Sequence, residues 1–213
     1  MTSRSTDFTF GLTWLVDFFH QDWPLDASDE AEVVANQFVD DLDPETVLLV
    51  RRDARLLLDT LTPDQIAVLW LSAGEKDAFR FGRSPASASP PVWMRTVIRE
   101  CDRWLENHMH GRLSGGDLED GFGLVDEIVE EIRKYGDSIG ADSVEALTVC
   151  ARRCTPDLAF RFFLKALSSK LLSLPLREKH FLTASRYERL GEIGEALNYG
   201  EFIVSELEHM VDN

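Results

Sequence analysis

The sequence has little of what identifies an enzyme or a membrane protein. It contains no Gly-x-Ser-x-Gly turn, no P-loop, no Gly-x-Gly-x-x-Gly after a predicted strand and no His-Glu-x-x-His. No apolar run approaches the roughly 20 residues that cross a bilayer, and residues 1–7 lack the apolar core of a signal peptide. We therefore expect a cytoplasmic protein that has no enzymatic activity and needs no cofactor.

Cysteine is also scarce. Cys101, Cys150 and Cys154 are too few to form a disulfide framework in a chain of 213 residues. Cys150 and Cys154 are one helical turn apart, so a thiol pair within a helix is conceivable. In a reducing compartment, however, we expect both to be small buried apolar residues.

Positive charge is the third scarce feature. Lys and Arg number 22 against 38 Asp and Glu, which gives a formal net charge of −16. A charge of this size repels nucleic acid phosphates and anionic membranes and attracts basic partners. We therefore expect binding to neither nucleic acid nor membrane. The acidity then serves either solubility alone or the recognition of a basic protein.

Helical periodicity is present along nearly the whole chain. Two start signals are well formed, Asp43-Pro44-Glu45 and Thr62-Pro63-Asp64-Gln65, each with proline at the first helical position. The alternation of Phe8, Phe10, Leu12 and Trp14 is only a weak strand signal. The sequence predicts an all-α protein with about nine to ten helices and little or no strand, in which Pro24 and Pro175 end helices.

A glycine-rich segment suggests how the chain is divided. Residues 111–123 contain five glycines among polar residues, and all five tryptophans precede them. We predict an N-terminal helical bundle at residues 1–110 and a second helical module at residues 117–213. Residues 75–91 read as a long irregular connection inside the first of these.

The histidines are the only candidates for a metal site. His20 and Asp22 lack the three or four converging ligands that a metal needs, and they are expected instead to hydrogen-bond the turn before Pro24. In His108-Met109-His110 the two imidazoles are two residues apart, so they do not face each other on a helix. We expect no metal site, although a metal-dependent enzyme that uses His20, His108 and His110 stays open as a third hypothesis.

Acidic residues gather near the first predicted loop, at the junction of the second and third helices, and at the start of the long connection. One interpretation is a solvated face that gains about 0.3–1 kcal/mol per residue from helix dipoles. The other is a negative surface that contacts a basic protein. The candidates for such partner binding are Asp22, Asp26, Asp29, Glu30, Asp40, Asp41, Asp43, Glu45, Glu75 and Asp77.

One short run connects the chain to a known family. An apolar helix leads into Phe18-Phe19-His20-Gln21-Asp22-Trp23, and a leucine-rich stretch and a tryptophan that opens a helix, Trp93, follow later. In these features residues 8–108 resemble the immunity proteins of bacterial contact-dependent growth inhibition. That family has an aromatic residue followed by Phe-His-Gln-Asp-Trp near its N-terminus. Phe18 stands where tyrosine is commoner, and the second half of the chain lies outside the resemblance.

The resemblance implies a protein that binds and neutralises a cognate bacterial toxin domain by stoichiometric occlusion. Toxins of this kind are often nucleases with basic substrate grooves, which an acidic surface would complement. We expect the motif residues Phe19, His20, Gln21, Asp22 and Trp23 to be structural, with Trp23 in the core and Asp22 bracing the turn. The alternative function is an acidic helical adaptor that binds another protein through residues 117–213. The oligomeric state stays open.

Overall fold

The computed structural model describes residue 4 and residues 6–108, 111–173 and 182–211. Over these ranges the chain folds into eleven α-helices and no β-strand, which confirms the predicted all-α class. The helix that periodicity did not reveal is α7, which has only four residues. The helices are α1 Leu12–Val16, α2 Glu30–Gln37, α3 Pro44–Thr60, α4 Pro63–Ala73, α5 Pro90–Leu105, α6 Val125–Lys134, α7 Gly136–Ile139, α8 Ala141–Arg153, α9 Pro156–Ser173, α10 Ala184–Ala196 and α11 Glu201–Ser205.

The helix start signals are confirmed with one difference. At α4, Thr62 Oγ1 accepts from the Gln65 N–H (3.3 Å) and Gln65 Oε1 accepts from the Thr62 N–H (3.0 Å), which completes a capping box. Asp43 occupies the cap position of α3, but its side chain makes no capping hydrogen bond. Because Pro44 lacks an N–H and already has helical φ, the start of α3 needs less help from a side chain.

Of the two helix ends predicted at prolines, one differs from the structure and the other lies outside the described residues. The first helix does not continue to Pro24 but ends at Val16. Beyond it, the N–H groups of Phe18 and Phe19 bond to carbonyls three residues back, so the chain tightens into turns. Pro24 lies in a single 3-10 turn formed by Trp23–Leu25. Pro175, which was predicted to end α9, lies outside the described residues.

Helix α9 is the centre of the molecule. Every residue from Leu158 to Leu167 is buried, so the helix is enclosed on all sides, as its broad apolar face predicted. It packs against α4 from the first half of the chain and against α8 from the second. The two predicted domains therefore share one hydrophobic core. Their boundary, and whether either half folds alone, stay predictions.

A buried group of charges joins the same two halves. The Arg161 guanidinium on α9 lies 2.7 Å from Asp53 Oδ2 on α3 and 2.9 Å from Asp157 Oδ2, and all three side chains are at most 5% exposed. Arg161 also donates to the Phe10 carbonyl (3.0 Å). Burial alone would lower the pKa of Arg161, but the carboxylates of Asp157 and Asp53 together raise it. The guanidinium therefore stays charged in the core.

The N-terminal arm completes this group. Arg4 donates to Asp157 Oδ1 (2.7 Å) and to the carbonyls of Leu197 and Glu119 (both 3.1 Å). Gly11, at φ 62°, turns the chain so that the next N–H reaches Asp53 Oδ2 (2.9 Å). A side chain at Gly11 would collide with Asp53 and Arg161, so only glycine fits this turn.

We expect Arg161→Met to lower the free energy of unfolding by about 3–5 kcal/mol, because it leaves buried carboxylates without their cation. The matched control is Arg189→Met, which removes an arginine paired with Glu127 and Glu192 at the surface and should cost no more than about 1 kcal/mol. Urea denaturation of both variants measures the difference. Equal losses would show that the buried group does not hold the halves together.

Candidate partner-binding surface

Phe19, the second aromatic residue of the motif run, lies at the centre of a cluster of rings. Its ring centroid is 5.2 to 5.8 Å from those of Trp23, Trp70, Phe79 and Trp93, and in each pair the planes are steeply inclined. All five residues are buried. This edge-to-face arrangement stabilises aromatic pairs beyond the area they bury. The motif therefore helps to build the core of the first half.

The rest of the motif attaches the first loop to the long connection. Trp23 Nε1 donates to the Ala78 carbonyl (2.8 Å), and Glu75 Oε2 accepts from the Gln21 N–H (3.0 Å). His20 Nδ1 accepts from the Asp22 N–H (3.3 Å), whereas the Asp22 side chain makes no capping hydrogen bond. Trp23 is in the core as expected, but His20 rather than Asp22 braces the turn.

The histidines do not form a metal site where they are described. His108 stacks on Trp104 at 3.9 Å between ring centroids, and its Nδ1 lies 2.8 Å from the Trp104 carbonyl. His110 lies outside the described residues. Among the described residues, no group of three or more His, Cys, Asp or Glu side chains is arranged to hold a metal ion.

Negative charge is concentrated in one continuous segment around α2. No Lys or Arg occurs between Arg4 and Arg51, whereas residues 22–45 carry nine carboxylates. Eight of them lie at or near the surface and equal half of the formal charge of −16. We call these eight the acidic edge; they are Asp22, Asp26, Asp29, Glu32, Asp40, Asp41, Asp43 and Glu45.

Glu30 is the ninth carboxylate and does not belong to this surface. It is 0% exposed and accepts a hydrogen bond from the Ser84 hydroxyl. The prediction that Glu30 contacts a partner is therefore wrong. The sequence misled because Glu30 is the first residue of α2, where the helix dipole favours a carboxylate at the surface, but α2 packs this position against the connection before α5.

The acidic edge has two ends separated by α2. Helix α2 has eight residues, which corresponds to about 12 Å. Asp29 caps its start by accepting from the Glu32 N–H (3.0 Å). Beyond its other end, Asp41 and Asp43 are exposed and have no cationic partner among the described residues, while Asp40 has only His108, at 3.6 Å. The far end therefore presents carboxylates, Asp41 and Asp43, that no described residue neutralises.

Glu32 is a member of the acidic edge that the sequence analysis missed. Its carboxylate accepts from the Ser28 hydroxyl (2.5 Å) and the Ser28 N–H (2.7 Å). These hydrogen bonds, first that from the side chain, lower the pKa of Glu32 and keep it charged. The sequence signal for this contact was Ser28, which precedes Glu32 by four residues at the start of a helix.

Glu75 and Asp77 lie in a different setting. They line a groove of about 600 Å³ between the end of α4 and α9, together with Lys76 and Arg80. Asp77 is already paired with Arg80 (3.0 Å), so the charge of this groove is mixed. These two predicted contact residues are exposed, but they are not part of the uniformly negative surface around α2.

Lys165 lies in the adjoining groove and is neutralised by the fold. Its ammonium is 2.8 Å from Asp17 Oδ2 and 2.9 Å from Glu206 Oε2. Burial would lower the pKa of Lys165, but the Asp17 and Glu206 carboxylates raise it above its ordinary value. This cation therefore ties α9 to neighbouring segments rather than to the acidic edge.

Comparison with known proteins identifies no relative: the chain matches no protein-family model, no curated protein and no solved structure. No helix in the described part of the chain is long and apolar enough to cross a membrane.

The structural role of the motif gives a paired prediction. Phe19→Ala should lower the free energy of unfolding by about 3–5 kcal/mol, because it opens a cavity among four other rings. Asp22→Ala should change it by no more than about 0.5 kcal/mol, because Asp22 is exposed and does not cap the turn. Chemical denaturation measures both. A larger loss for Asp22→Ala would contradict the structural assignment of the two residues.

Proposed function

We propose that the protein is a cytoplasmic immunity protein that binds a basic toxin domain one to one and blocks its active surface without turnover. The observation that carries the proposal is the acidic edge, whose carboxylates are concentrated around α2 and are largely unneutralised at the end that follows it. The Phe19-His20-Gln21-Asp22-Trp23 run supports it as a family resemblance, and its structural role leaves the contacts to the loops around it.

Occlusion follows from charge complementarity. A nuclease toxin would present a basic groove that receives phosphates, and a row of carboxylates can occupy the same place. Opposite charges on the two surfaces accelerate the encounter and favour one orientation over others. Asp41 and Asp43 make no ion pair with any described residue, so no such pair has to be broken when they bind the partner.

The location of the acidic edge favours this function over the adaptor alternative. An adaptor that binds through residues 117–213 gives no role to carboxylates at positions 22–45. The two functions differ in an observable way, because only the first requires that binding depend on the α2–α3 connection.

The first experiment is a titration of the protein against the C-terminal domain of any toxin that is encoded immediately upstream. We expect one-to-one binding of nanomolar strength and loss of toxin activity at equivalence. A folded protein that neither binds nor inhibits this domain would refute the proposed function.

A charge-reversal variant tests the surface. Asp40→Lys combined with Asp41→Lys and Asp43→Lys should weaken toxin binding at least about tenfold at low salt, with the deficit shrinking as salt is added, because the lost attraction is electrostatic. The measurement is the association constant by titration calorimetry across a salt series.

The matched control replaces Glu130, Glu188 and Glu195 by lysine, which changes the net charge by the same amount. These three residues are exposed in the second half of the chain. It should bind like the unmodified protein apart from a small general effect. Equal weakening by both triple variants would show that net charge, rather than the acidic edge, sets the affinity.

A further inference from the structure

The outward face of α5 carries a charged stripe that the proposed function does not use. Five charged residues recur on this face at helical spacing: Arg95, Arg99, Asp102, Arg103 and Glu106. Ile98 lies between them. Together with part of α3 they line a groove of about 680 Å³. Leu58 and Ile98 are half-buried along this groove and give it an apolar component.

Some of these charges are paired within the chain, and the two at the ends of the stripe are not. Glu100 is buried and lies 3.0 Å from Arg99 and 2.6 Å from Arg103, so it fixes both guanidinium groups. Asp102 lies 2.5 Å from Arg51 on α3. Arg95 and Glu106 are exposed and have no ion-pair partner among the described residues. They are eleven residues apart, or about 16 Å along the helix, which is too far for them to pair with each other.

When the stripe is placed against an antiparallel copy of itself, positive residues face negative ones. If a second α5 lies antiparallel across the first, with the two-fold axis between residues 100 and 101, Arg95 faces Glu106 of the other copy. Arg99 then faces Asp102, and the stem of Arg103 covers Ile98. Both charged pairs in this register join an arginine to a carboxylate. Because of the two-fold symmetry, each pair occurs twice.

The charge of the groove also distinguishes this face from the acidic edge. Two copies of a chain with a net charge of −16 repel each other. Four arginines and three carboxylates line this groove, so an approach through it avoids the negative surfaces. Ile98 lies within three residues of the proposed axis along α5, where burial against a second copy would be most complete.

We propose that the protein forms a two-fold symmetric homodimer through the α5 stripe, with Arg95 of each copy paired with Glu106 of the other. The interface is small and relies on exposed ion pairs, so the dimer dissociates in the micromolar range. The inference is independent of toxin binding, because the acidic edge has no part in it.

The test is sedimentation equilibrium of the full chain from micromolar to near-millimolar concentration. The unmodified protein should shift from 24.2 kDa towards twice that mass as concentration rises. Arg95→Glu and Glu106→Arg should each weaken the dimer about tenfold or more, because each replaces two attractive pairs by two repulsive ones. The double variant Arg95→Glu/Glu106→Arg should restore it, since the two positions can meet only between copies.

The two single variants separate this interface from a general charge effect. Arg95→Glu makes the protein more acidic and Glu106→Arg makes it less acidic, yet both should weaken the dimer. Arg152→Glu, at an exposed position on α8, changes the charge as Arg95→Glu does and should leave the dimer intact. A monomer at every concentration, opposite effects of the two single variants, or no rescue by the double variant would each overturn the proposal.

Discussion

The fold depends on a cation that is buried between two segments far apart in the chain. Arg161 holds Asp53 from 108 residues away, and the adjacent Asp157 holds Arg4 from 153 residues away. Removing one of these groups while its partners stay buried would leave charges unpaired in a medium that solvates them poorly, which is strongly destabilising. The two halves of the chain are therefore coupled by electrostatics as well as by their shared core.

The residues that stabilise this short region differ from those that we propose for partner binding. Phe19 and Trp23 point into the ring cluster and anchor the first loop, whereas the carboxylates of Asp41 and Asp43, beyond the next helix, make no ion pair with any described residue. Such a division allows the exposed carboxylates to vary without loss of the scaffold.

Structure that depends on neighbouring residues could be predicted from the sequence, whereas contacts between residues far apart in the chain could not. The capping box at Thr62 and the periodicity of ten of the eleven helices follow from interactions within a few residues, so they can be read from the chain. The burial of Glu30 and the pairing of Arg161 with Asp53 depend on which helices meet, and no short pattern encodes that. The exposed carboxylates around α2 were predicted as a group, except for Glu32, whose partner is a serine rather than a cation.

The attachment of the N-terminal arm has a consequence for biosynthesis. Asp157 is synthesised 153 residues after its partner Arg4. At about 5–20 residues per second this interval is roughly 8–30 s. Until α9 has been synthesised, Arg4 cannot pair with Asp157, and Asp53 cannot pair with Arg161. The contacts of Arg4 and Asp53 with α9 therefore form only after α9 has been synthesised, and a chain terminated before α9 lacks them.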